Sequence, residues 1–147
     1  MSILQTELAT GQKQAPQAYT SGASASYLAT FEIKAGVTVN AADIVELGPL
    51  PAEHRIIAAT VIPQGNFGAS VTADIGIMSG TFGDKNSVRT VGAELFDDVA
   101  LTAMASLTKG DSILLATSDQ NRGIGVKFSA NVVGAGQKLH LLVVYAQ

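Results

Sequence analysis

From residue 26 onward, apolar and polar positions alternate along most of the chain. Tyr27, Ala29, Phe31 and Ile33 fall on one side of an extended backbone, with Leu28, Thr30, Glu32 and Lys34 on the other. Ala35-Gly36 ends that run, and Asp43 to Leu47 is a second strand closed by Gly48-Pro49-Leu50-Pro51. His54 to Ile62 is a third, rich in β-branched residues and apolar on both faces, which predicts a central or interface position. Val71, Ala73, Ile75 and Ile77 alternate with Thr72, Asp74, Gly76 and Met78. Ile124, Val126, Phe128 and Ala130 do the same with Gly123, Gly125, Lys127 and Ser129. A further strand is expected at Ser112–Thr117. Gly134-Ala135-Gly136-Gln137 reads as a hairpin turn into a last strand, Lys138–Ala146, again apolar on both faces.

Two stretches break the period of two. Glu94 to Leu107 carries Phe96/Ala100 and Ala103/Leu107 at i, i+4 spacing with helix-favouring Ala, Leu and Met, which predicts one short helix. Residues 79–92 are a Gly-punctuated polar loop expected to expose Asp84, Lys85, Asn86, Ser87 and Arg89. Short strands split by Gly-rich turns, without a βαβ rhythm, indicate an all-β, antiparallel β-sandwich or barrel. The expected core is Phe31, Ile33, Ile56, Val61, Ile75, Ile77, Val126, Phe128, Leu141 and Val143.

The first 25 residues differ. They are rich in Gln, Ala, Ser and Thr and carry only Glu7 and Lys13 as charges. Such a segment buries too little to offset about 1–2 kcal/mol of backbone entropy per residue. The chain therefore divides into an extended N-terminal arm, 1–25, and a sandwich domain, 26–147. The arm is expected to order only on a neighbouring subunit or on a larger shell, through Leu4, Leu8 and Tyr19, with strand addition as one route.

Composition narrows the function. The 147 residues are 47% hydrophobic but only 14% charged, which favours a folded, self-associating domain over a solitary, strongly solvated one. A net charge of −3 makes nucleic acid a poor partner. The longest bulky apolar run, Leu141–Tyr145, is far too short to span a bilayer. The absence of Cys removes thiol catalysis, disulfides and thiolate metal sites.

His54 and His140 stand 86 positions apart with no H-x-H, so no cupin-like metal set assembles, and there is no G-x-S-x-G for a serine nucleophile. Asp97-Asp98 suits a helix start better than convergent acid chemistry. Asp74, if buried, would need Arg55, Arg89 or Lys127. The pairs Gly123/Gly125 and Gly134/Gly136 read as bulges and turns rather than phosphate cradles. No enzyme activity and no cofactor are expected.

Several stretches carry a family likeness: Ala42 through Ala52, Arg55 through Val61, Val71 through Gly80, Asp119 through Val126, and the ending Gly136 to Tyr145. Together they resemble the small decoration, or cement, proteins of tailed-bacteriophage heads. The resemblance implies a jelly-roll type of sandwich and a structural role on the outer capsid surface of a virion made in the host cytoplasm. It also implies the major capsid protein as partner, and a homo-oligomer with a trimer favoured over a dimer. Candidate contacts are Leu4, Leu8 and Tyr19 of the arm, with Phe82, Asp84, Lys85 and Arg89 of the loop. The alternative is a ligand- or glycan-binding sandwich, lectin-like or receptor-binding, which the lack of Trp and of clustered acidic Ca²⁺ ligands disfavours.

Overall fold

Burial alternates with period two along the strands over residues 24–33 and 137–146, whereas those over 44–50 and 122–128 are buried on both faces for most of their length. A computed structural model describes residues 1–15, 23–107 and 110–147. Its strands are β1 (Ile3–Gln5), β2 (Ser24–Ile33), β3 (Thr38–Val39), β4 (Ile44–Leu50), β5 (Arg55–Gln64), β6 (Thr72–Ile77), β7 (Phe96–Ala100) and β8 (Ala105–Ser106). A single helical turn, α1 (Asp111–Leu114), precedes β9 (Arg122–Phe128), β10 (Val132–Val133) and β11 (Gln137–Ala146). One sheet has the order β1-β4-β9-β6-β7, a second β2-β11-β5-β8, and β10 pairs with β3 in a small ribbon. All pairings are antiparallel except β1 with β4.

The protein is thus an all-β sandwich. Val45, Leu47, Ala73, Ile75, Ile124, Val126 and Phe128 of the first sheet meet Tyr27, Ala29, Ile33, Ile56, Val61, Leu139, Leu141, Val143 and Tyr145 of the second in one buried cluster. Each fully buried Val, Leu, Ile or Phe contributes about 1.5–3 kcal/mol relative to exposure. Phe67 stacks on Phe128 at 6.0 Å between ring centres, and Tyr27 meets Tyr145 at 5.7 Å. Of the expected core, Phe31 and Ile77 are half-buried at its margin, and the other eight are fully buried.

Four expectations for individual elements are corrected. The helix expected within 94–107 is instead β7 and β8. Phe96 pairs with Ile75 and Val99 with Ala73, so a neighbouring strand outweighs local helix propensity. The strand expected at 112–117 begins as α1, where Gly110 O accepts the Ile113 and Leu114 amides. The prolines do not stop β4: it runs on to Leu50 past a bulge between Glu46 and Gly48. The glycines at 134 and 136 do not fold β9 against its own continuation, because β9 and β11 lie in different sheets. That turn carries the chain from one sheet to the other by way of β10.

The N-terminal residues are corrected as well. β1 adds in parallel to β4 of its own chain, pairing Ile3, Leu4 and Gln5 with Ile44, Val45 and Glu46. Ile44 N–H donates to Ser2 O at 3.1 Å and Thr6 N–H to Glu46 O at 3.1 Å. Leu8 and Ala9 are buried, and Leu4 packs against the core. Residues 1–9 thus pack on their own chain, with Leu4 and Leu8 supplying apolar burial.

Candidate functional site

The outward face of the first sheet is built around missing side chains. Gly76 of β6, Gly125 of β9 and Glu46 of β4 are cross-strand neighbours, with Gly123 two residues before Gly125 on the same face. A β-carbon on Gly125 would lie 2.7 Å from Met78 Sδ, and one on Gly123 would collide with the Glu46 carboxylate. One on Gly76 would strike the backbone of Gly92 and the carboxylate of Glu94. These glycines, of which Gly123 and Gly125 were read from sequence as bulges or turns and Gly76 as a strand position, clear a strip on which residues 78–94 lie. The strip is a strand glycine permitting close approach of another backbone.

At its centre is a buried ion pair. Arg89 Nη2 donates to Glu46 Oε1 at 2.8 Å, and the two side chains are 2% and 0% exposed. Arg89 also donates from Nε to Ser79 O at 2.7 Å and from Nη1 to Asp84 O. Glu46 accepts from Gln5 Nε2 at 2.9 Å and from the Gly83 amide at 3.3 Å. Gln5 reaches on to Gly83 O at 3.2 Å. Each side-chain nitrogen of Arg89 and each carboxylate oxygen of Glu46 has a hydrogen-bond partner, the condition under which a buried pair is tolerated. Arg89 is therefore corrected: it is not an exposed contact residue but the internal anchor of the 79–92 loop.

The other candidates separate. Phe82 is half-buried, its amide donating to Asn121 O at 2.9 Å, while Asp84 and Lys85 are exposed on the loop. Leu8 is internal, Leu4 half-buried, and Tyr19 lies outside the described residues. The structure thus brings Gln5 of the N-terminal segment, rather than Leu4 or Leu8, onto the loop. Beside the loop, Ile77–Thr81, Thr90–Gly92, Leu115, Ser118, Gln120 and Arg122 line an open groove of about 610 Å³.

The groups considered for chemistry do not converge. Asp74 accepts the Asp98 amide at 2.9 Å rather than pairing with Arg55, Arg89 or Lys127. Asp97 and Asp98 sit on β7, not at a helix start, and Asp98 has a left-handed φ of 51°. His54 is buried before β5, its Nδ1 2.7 Å from Ala52 O and its ring edge-on to Tyr145. His140 bridges Thr30 and Gln64 across three strands at 2.8 and 3.0 Å. Among the described residues no three His, Cys, Asp or Glu are grouped to hold a metal ion, and no helix is long and apolar enough to cross a membrane.

The outward face of the second sheet is different in kind. Its central cross-strand rows are Ser26–Val144–Ala58, Leu28–Leu142–Thr60 and Thr30–His140–Ile62, and none contains Asp, Glu, Lys or Arg. Formal charge begins at the next row, Glu32–Lys138–Gln64. Leu28 is 54% exposed and Leu142 38%. Two long strands read as apolar on both faces, β5 and β11, are the centre of this surface.

No family model and no curated protein matches the sequence. Solved structures do. The fold is similar to a chain in the capsid of Ralstonia phage GP4, with a TM-score of 0.84 and 26% identity over 99% of this chain and 97% of that one. A chain of the cyanophage Pam1 capsid asymmetric unit shares the fold at a TM-score of 0.56 and 15% identity, covering 92% of this chain and 94% of the other. A chain in the acid-stable capsid of Helicobacter pylori bacteriophage KHP30 matches at 0.47 and 20%, over 82% and 86%. The chain therefore resembles chains of phage capsid structures.

Proposed function

We propose that this protein is a non-enzymatic structural component of a phage virion that binds the outside of the capsid and braces it across capsomer junctions. The observation that carries the reading is the near end-to-end likeness to the GP4 capsid chain. The absence of converging chemistry in a chain so poor in charge is consistent with it. The major capsid protein is the partner. The protein acts as a homo-oligomer, a trimer in preference to a dimer, in which modest contacts multiply through effective concentration. Self-association would use the three central, uncharged rows on the outer face of β2, β11 and β5, which are flanked by Arg55 at one end and Glu32 and Lys138 at the other, and Asp84 and Lys85 would face the shell.

Co-sedimentation tests this. The purified protein, mixed with heads assembled from the phage's major capsid protein alone, is expected to pellet with the heads at a fixed ratio and to raise their resistance to heat. Failure to pellet, together with specific signals on a glycan array, would replace this reading with the lectin-like one.

A further inference from the structure

Gln5 joins two features otherwise remote in sequence. Its side-chain amide donates both to the Glu46 carboxylate, which holds Arg89, and to Gly83 O, which belongs to the loop that Arg89 organises. The Gly83 amide returns a hydrogen bond to Glu46 at 3.3 Å. With Gln5 gone, Glu46 Oε2 and Gly83 O would each lose a partner at the rim of a buried charge. Yet the element that delivers Gln5 is a slight one. β1 is three residues long, pairs on one side only and is parallel. Ser2 ties its far end to Asp43, by amide and hydroxyl at 2.9 and 3.0 Å.

We infer that the N-terminal segment is a releasable strap that governs the 79–92 loop: detachment of β1 from β4 and loosening of the loop are one event. The strap closes the Glu46–Arg89 pair from the outside, and the pair in turn holds Ser79 O and Asp84 O at the two ends of the loop's first half. Whatever captures the N-terminal residues therefore also changes the loop's shape. The inference stands on this geometry and not on shell binding.

Native-state amide exchange on the full protein reads both ends at once. The Ile44 and Thr6 amides report β1 docking, and those of Phe82, Gly83 and Arg89 report the loop. Two variants separate a coupled strap from a merely local hydrogen bond. Gln5→Ala removes the side chain alone. Deletion of residues 1–4 removes the Ile3 and Leu4 pairings and the Ser2 tie but keeps Gln5. Both are expected to speed exchange at Phe82, Gly83 and Arg89 by about tenfold or more, the effect of leaving a buried polar group unpaired. Leu141 of β11 is expected to keep its protection. Unchanged loop protection in the deletion variant would overturn the strap, whatever Gln5→Ala does. Equal acceleration at Leu141 would also overturn it, showing general destabilisation instead.

Discussion

Glu46 has no exposed surface, and its carboxylate is divided among a guanidinium, a side-chain amide and a backbone amide. Removing one partner from such a pair leaves an uncompensated buried charge. Arg89→Ala is expected to cost about 3–5 kcal/mol, read from the urea unfolding midpoint, while Lys85→Ala on the exposed part of the same loop stays within about 0.5 kcal/mol. Sequence hid this role for a physical reason. An arginine amid Gly, Asp, Asn and Ser has the local setting of a solvated side chain, and its burial depends on a strand 43 positions away. The available signal was the three glycines, since Gly76, Gly123 and Gly125 all fall on the polar phase of their strands. A sheet face without side chains is a face that something covers.

The two core tyrosines make an opposite pair at the same scale. Tyr27 Oη donates to Pro49 O at 2.7 Å, whereas the Tyr145 hydroxyl is buried with no partner among the described residues. Tyr27→Phe is expected to cost about 1 kcal/mol, and Tyr145→Phe to be neutral or stabilising. Burial raises both phenol pKa values, that of Tyr27 well above the ordinary range with its neighbour Tyr145 adding to the effect. A raised phenol pKa means the folded state resists deprotonation. Stability is then level below about pH 10 and falls as the pH climbs past it. Ultraviolet titration at 295 nm is expected to show these two phenols ionising only with alkaline unfolding.

At the scale of elements, β1 carries its own pH dependence. Burial pushes the Asp43 carboxyl up, but hydrogen bonds from the Ser2 and Asn40 amides and from both side chains outweigh it, so the pKa is lowered. A lowered carboxylate pKa contributes stability above the unfolded value of about 3.9 and loses it as the pH falls through that range. Acid below about pH 4 is therefore expected to free β1, and with it the Ile44 and Thr6 amides, before the core strands lose protection. The strand itself was legible only as a polar tail. Three residues are too few for a period, and Leu4 and Leu8 gain their meaning from the sheet edge they cover. β7 failed differently: its Ala- and Leu-rich stretch fits a helix locally, and only pairing with β6 decides otherwise.

The two-sheet body was readable because strands half-buried against one core must alternate, and β2 and β11 do so along nearly their whole length, while β6 and β9 alternate apolar with polar or glycine residues in sequence although their glycine face is covered. Which sheet each strand joins was not readable. The pattern shows which side chains point inward but not which layer holds them, and the chain changes layer repeatedly, from β4 to β5, β5 to β6, β7 to β8, β8 to β9 and, by way of β10, β9 to β11. The outer face of β2, β11 and β5 was anticipated from strands apolar on both sides. On the proposed reading that this face joins copies of the protein, Leu28→Glu combined with Leu142→Glu is expected to shift the light-scattering mass from that of an oligomer toward the monomer mass of about 15 kDa without unfolding the protein. The central claim, that this sandwich is a structural part of a phage head bound to its exterior, is tested most directly by cryo-electron microscopy. Heads assembled with and without the protein would be compared at a resolution that shows strands. The account predicts added density on the outer surface, at capsomer junctions, into which the two-sheet body fits. Identical outer surfaces in the two reconstructions would contradict it.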